Sequence, residues 1–126
     1  MITDIYLEPI GRTFARAEIE AYLAAIPHAA RDAVNPDIYM IANDDETLRE
    51  ARDARAQDPS RFPTTVILID VGEQRIDISY RISRVTPARR FVEWLRSRYE
   101  LKIMDEELND VTADARDLDV LFGAEA

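Results

Sequence analysis

The chain has 126 residues, with 25 Asp and Glu against 16 Lys and Arg, a formal net charge of −9 and no cysteine. That length suits one domain with a core of its own, while the missing cysteine excludes disulfides, thiolate metal sites and thiol chemistry and points to a cytoplasmic setting. The acidity argues against general attraction to nucleic acid or anionic lipid, and no segment approaches the roughly 18 apolar residues of a membrane span, so neither nucleic acid nor membrane is expected as a partner.

Ile2 to Glu8 reads as a strand with Ile5 and Leu7 on one face, closed by Pro9 and Gly11. Thr13 then offers a helix cap. Ile19, Tyr22, Leu23 and Ile26 follow at i, i+3, i+4, i+7, which places them on one stripe, and Pro27 stops the run. Ala17, Ala21, Ala24 and Ala25 make up most of the opposite side. After the Asn35-Pro36 turn, Asp37 to Ala42 is the short apolar run of a strand covered on both faces. Asn43, Asp44 and Asp45 supply caps for a helix reaching Gln57. It is charged nearly all round, with only Leu48, Ala51 and neighbouring alanines available to dock, so a loosely attached surface helix is predicted.

Pro59 and Pro63 bracket a loop ahead of a second buried run, Thr64 to Val71, and Asp70, Gly72 and Glu73 turn it. Arg75 to Ile82 alternates, with Ile76, Ile78, Tyr80 and Ile82 facing one way and Arg75, Asp77, Ser79 and Arg81 the other, as in a half-exposed antiparallel strand. Thr86-Pro87 starts a helix running to about Arg98, with Ala88, Phe91, Val92, Leu95 and Tyr99 on its core face. Leu101 to Met104 reads as a short edge strand. Thr112 is placed to cap a last amphipathic helix that Gly123 would end.

The order βαβαββαβ with an acidic C-terminal segment predicts an α/β fold, or α+β as its variant. Residues 1–103 would form one domain, a mixed sheet of roughly four to five strands covered by three helices, and residues 104–126 a partly ordered acidic extension. Pro63 and Thr64 ahead of a strand, the Gly72-Glu73 turn, a second strand and a closing helix resemble the thioredoxin-like order over residues 1 to 99. With the cysteine pair absent, that resemblance implies the scaffold and no redox activity. A split βαβ arrangement resembling the ferredoxin-like fold, with the Asp44 to Gln57 helix inserted, is the competing topology.

Little in the chain supports catalysis. The single histidine, His28, directly follows Pro27 and has no motif partner; Asp32, one helical turn on, is the carboxylate it could pair with, and a packing or solvated role outweighs a catalytic one. Gly11, Gly72 and Gly123 are too dispersed to cradle phosphate. The runs Asp44-Asp45-Glu46 and Asp105-Glu106-Glu107 point their carboxylates apart, and Asp117 and Asp119 begin a calcium-like loop whose later ligand positions are taken by Leu121 and Phe122. No catalytic residue, metal or cofactor is expected.

Charge is instead segregated. Met104 to Ala126 carries eight carboxylates and one cation, Arg75 to Lys102 eight cations and three anions, and the first 74 residues 7 cations and 14 anions. Arg90, Trp94 and Arg98, at i, i+4 and i+8, form a basic aromatic ridge of the residue types enriched at interface hot spots. Val111, Leu118, Val120, Leu121 and Phe122 give the acidic end an apolar face that could dock on this domain or on another chain. Arg90, Trp94, Arg98, Leu118, Val120, Leu121 and Phe122 are thus the candidate partner-binding residues. The leading expectation is a small non-enzymatic bacterial protein-binding module, such as an immunity-type antagonist of a basic partner. The alternatives are an enzyme or redox-family relative on a thioredoxin-like scaffold, and a homodimer or other structural subunit that buries the alanine face or the Trp94 ridge. Should the acidic end dock on its own domain, the external surface is to be sought in the acidic first half.

Overall fold

A computed structural model describes residues 3–81 and 85–122. Ile2, Ile82 and Gly123, assigned from the sequence to a strand start, a strand end and a helix stop, lie outside the described residues. The chain forms β1 (Thr3–Pro9), α1 (Arg16–Ala24), β2 (Ala29–Arg31), β3 (Ile38–Ile41), α2 (Asp45–Gln57), β4 (Ile67–Val71), β5 (Ile76–Tyr80), α3 (Thr86–Arg98) and β6 (Leu101–Met104). A single 3-10 turn (Asp114–Arg116) and the short α4 (Asp119–Phe122) follow.

Among the described residues one sheet contains six strands in the order β2-β3-β4-β5-β1-β6, and each pairing is antiparallel. The α/β class holds, but the expected four to five strands become six and the expected mixed sheet becomes antiparallel throughout. The added strand is β2, whose Ala-Ala-Arg sequence has little strand propensity of its own and is held by pairing to β3. The parallel neighbours of a thioredoxin-like order are not formed among the described residues. β5 and β6 flank β1 and run opposite to it with α3 as their connection, a split βαβ unit, but β4, β3 and β2 extend the sheet beyond a four-stranded ferredoxin-like order.

The period-2 alternation of the strands creates two unequal faces. On the inner face Tyr39, Ile69, Ile78 and Ile5 align across four strands, and Val71, Ile76, Leu7 and Ile103 make a second row. These pack with Ile19 and Leu23 of α1, with Ala88, Phe91, Val92 and Leu95 of α3, and with Ala115 and Leu118 in one core. On the outer face a smaller cluster joins Met40, Ala42, Val66 and Leu68 to Ala51 of α2, with Leu48 and Phe62 packed against it.

Two local expectations change. Thr13 does not cap α1; its N-cap is Ala15, whose N–H donates to the Tyr99 hydroxyl at 2.9 Å. The last helix is divided into the 3-10 turn and α4, and Thr112 instead bonds back to β6, accepting from the Ile103 N–H at 2.9 Å. Asp44 does cap α2, accepting from Thr47 N–H at 2.7 Å.

α2 is also held more firmly than its near absence of apolar residues suggests. Arg55 Nη2 and Nε donate to Asp32 Oδ2 and Oδ1 at 3.0 and 3.2 Å, and Arg52 Nε donates to the Arg31 carbonyl at 2.9 Å. His28, which the sequence set beside Asp32, turns the other way: in a left-handed conformation (φ 60°) it places Nδ1 2.7 Å from Asp45 Oδ1.

The two sheet edges are partly occupied. On β6, Val111 N–H donates to the Ile103 carbonyl at 2.8 Å and Asp110 bridges Met104; on the three-residue β2, the Arg31 carbonyl is already taken by Arg52. The β4–β5 turn closes through Gly72 N–H to the Arg75 carbonyl at 3.0 Å. A Cβ at Gly72 would sit 2.8 Å from that same oxygen, which is backbone and cannot swing away. Gly72→Ala is expected to cost about 1–3 kcal/mol by overpacking, read as a lowered midpoint in thermal unfolding.

Candidate functional site

The ridge of α3 lies along the seam with α1. Trp94 is half-buried and stacks on Tyr22 with ring centroids 4.4 Å apart, and Arg98 lies 5.0 Å over the Trp94 ring while its Nη1 pairs with Glu18 at 2.5 Å. Trp94 and Arg98 therefore fasten two helices together, whereas among the described residues Arg90 makes no ring stack or ion pair with α1.

The acidic end packs on its own chain, along the other flank of α3. Leu118 is 2% exposed and lies in the main core, and Leu121 and Phe122 pack against it. Arg89 Nη1 pairs with Asp119 at 2.5 Å, Arg96 Nη1 donates to the Ala115 carbonyl at 2.9 Å, and the Tyr80 hydroxyl donates to the Leu121 carbonyl at 3.0 Å. The basic stretch and the acidic end are thus internal partners through Arg89 and Arg96 rather than through Arg90, Trp94 and Arg98. Of the candidate residues, Arg90, Arg98 and Val120 are exposed, Val120 at 59%.

A different surface is left open. α2 covers the outer face over β3 and β4, whereas toward β5, β1 and β6 the same face carries polar side chains. Register sets Asp70 opposite Asp77, Asp77 opposite Tyr6 and Tyr6 opposite Met104, with Ser79 beside Asp4 in the neighbouring row. None of Asp4, Tyr6, Asp70, Asp77 and Ser79 is fully buried. Like charges directly opposite each other on adjacent strands are destabilising. Partial burial pushes the Asp70 carboxyl above its ordinary value, and the charges of Asp77 and Asp37 push it further, against Arg16 and Arg75. Burial likewise raises the Tyr6 phenol, with Asp4, Asp77 and Glu106 adding to it. Arg75 partly offsets this field, with Nε 2.7 Å and Nη2 3.1 Å from the two Asp77 oxygens and its guanidinium 4.8 Å from the Tyr6 ring.

Sequence reading of sites passed over this face, although its signal was present: Asp77 and Ser79 alternate with Ile76, Ile78 and Tyr80, and Asp4 and Tyr6 with Ile5 and Leu7. Among the described residues no group of three His, Asp or Glu side chains is placed to hold a metal ion, and no helix is long and apolar enough to cross a membrane. No family model, curated protein or solved structure matches the chain.

Proposed function

We propose that this is a non-enzymatic protein-binding module, of the antagonist or immunity type, that docks a basic partner on the open outer face around Asp4, Tyr6, Asp70 and Asp77. The observation that carries this reading is the placement of Asp70 directly opposite Asp77 on the part of the outer face outside the α2 cluster. Such a pair costs stability in the free chain, and arginine or lysine side chains of a partner would relieve it. Tyr6 between the carboxylates adds a large amphipathic contact of the kind enriched at interfaces. Association driven this way is fast at low ionic strength and slows steeply with salt.

Stability and binding are expected to move in opposite directions. Because the folded-state carboxyl of Asp70 titrates above its ordinary value of 3.8, ionising it costs the fold stability as pH rises through 3.8 toward that raised value, and the cost persists at neutral pH. Asp70→Asn should therefore gain about 0.2–1 kcal/mol at neutral pH and lose that advantage in acid, as followed by urea unfolding. The charge reversal Asp4→Lys with Asp70→Lys should abolish affinity capture of a basic partner from extracts of the native host. Capture of the same protein by this variant and by wild type, or recovery of the bait alone, would count against the reading.

A further inference from the structure

On the helix-covered side, between the end of α1, the exit of β3 and the first turn of α3, lies a groove of about 450 Å³. That falls within the roughly 300–1,000 Å³ of small-molecule sites. Tyr22, Ile26, Pro27 and Pro87 give it apolar walls, and His28 and Arg90 stand among its polar lining residues. The carboxylate nearest His28, that of Asp45, is engaged by the imidazole at 2.7 Å. Arg90 is exposed and, among the described residues, makes no hydrogen bond or ion pair. Its charge reaches the Tyr22 phenol, opposing the upward push that burial gives that group.

Arg90 is the arginine lining this groove and, unlike Arg16, Arg31, Arg55, Arg75 and Arg98, it is not tied to a carboxylate among the described residues, so its guanidinium is open to an anionic group beside the apolar walls. We propose that the groove binds a small aromatic organic anion, its planar body against Tyr22, Ile26, Pro27 and Pro87 and its phosphate or carboxylate on Arg90. A guanidinium receives such a head group through charge-assisted, often paired, N–H donors, and this interaction gains strength where the body of the ligand excludes water. The groove lies away from the acidic face and is independent of the partner proposed there.

Trp94, the single tryptophan, stacks on Tyr22 and supplies a reporter within the protein. In a titration with phenyl phosphate, Trp94 fluorescence is expected to change saturably. Arg90→Gln should weaken binding about tenfold or more without altering the unfolding midpoint, while Asp4→Lys with Asp70→Lys, on the far face, should leave it unchanged. Phenol and inorganic phosphate should each bind at least about tenfold more weakly than phenyl phosphate, since each supplies only half of the contact. No saturable change, equal affinity in Arg90→Gln, or inorganic phosphate binding as well as phenyl phosphate would overturn the proposal.

Discussion

Arg55→Ala is expected to lower the unfolding free energy by about 3–5 kcal/mol, the cost of leaving a buried charge without its partner. The Asp32 side chain is 0% exposed and that of Arg55 10%. Both Asp32 oxygens accept from Arg55, Oδ2 also accepts from Asn35 N–H at 2.9 Å, and Arg55 Nη1 reaches the Pro59 and Arg61 carbonyls. One guanidinium thus joins α2, the β2–β3 hairpin and the loop after α2. The sign with pH follows from the same contacts. Burial alone would raise the Asp32 carboxyl, but the Arg55 and backbone hydrogen bonds outweigh it and hold the carboxyl below 3.8. Its stabilising contribution is therefore present above that value and lost as pH falls through the lower folded-state value. In Arg55→Ala only the Asn35 and Val34 backbone hydrogen bonds still oppose burial, so the acid-side loss should shrink and the variant's deficit relative to wild type should narrow on acidification. Replacing the pair together, Asp32→Leu with Arg55→Met, should recover most of the loss. Urea unfolding at neutral and acid pH measures all three, and a loss under about 1 kcal/mol for Arg55→Ala would show that the pair does not fasten α2.

Leu118→Ala should cost about 2–5 kcal/mol, because the side chain is enclosed by the main core and its removal leaves a cavity. Val120→Ala, two residues along on the exposed side, should stay within about 0.5 kcal/mol. The contrast separates an acidic end that completes the core from one that merely lies near it; equal and small effects at both positions would reject the docked arrangement. Unfolding followed by Trp94 fluorescence is suited to this pair, since Trp94 lies on the other flank of α3 and reports the domain rather than the altered segment.

Apolar patterning was enough to locate β1, α1, β3, β4, β5, α3 and β6, and α2 was located by its acidic caps, Asp44 above all, rather than by an apolar stripe. β2 was not legible: Ala29, Ala30 and Arg31 carry no such pattern, and what makes them a strand is β3 on one side and Arg52 at the Arg31 carbonyl. Missing β2 set the direction of β3 wrongly, since the β2–β3 hairpin reverses the chain, and the antiparallel β3–β4 pairing across α2 completed the departure from a mixed sheet. The attachment of α2 was hidden for a related reason. Arg55 and Asp32 are 23 residues apart, and neither is distinguishable in sequence from the solvated charges around it. The candidate site was half legible: the aromatic ridge and the apolar face of the acidic end were recognised, but the antiparallel register that sets Asp70 against Asp77 and places the two regions on opposite flanks of α3 follows from long-range pairing alone.

The partly occupied sheet edges limit how a foreign strand could add to this fold. A strand with unpaired backbone groups invites a foreign strand to add to it, the common route to both peptide capture and aggregation. Here the segment from Asn109 to Thr112 occupies the β6 side, and β2 is short and blocked at Arg31. A foreign strand adding to this sheet would therefore meet a partly paired β6 side, or on β2 a stretch of three residues with one carbonyl already engaged, so both edges offer short templates for backbone pairing.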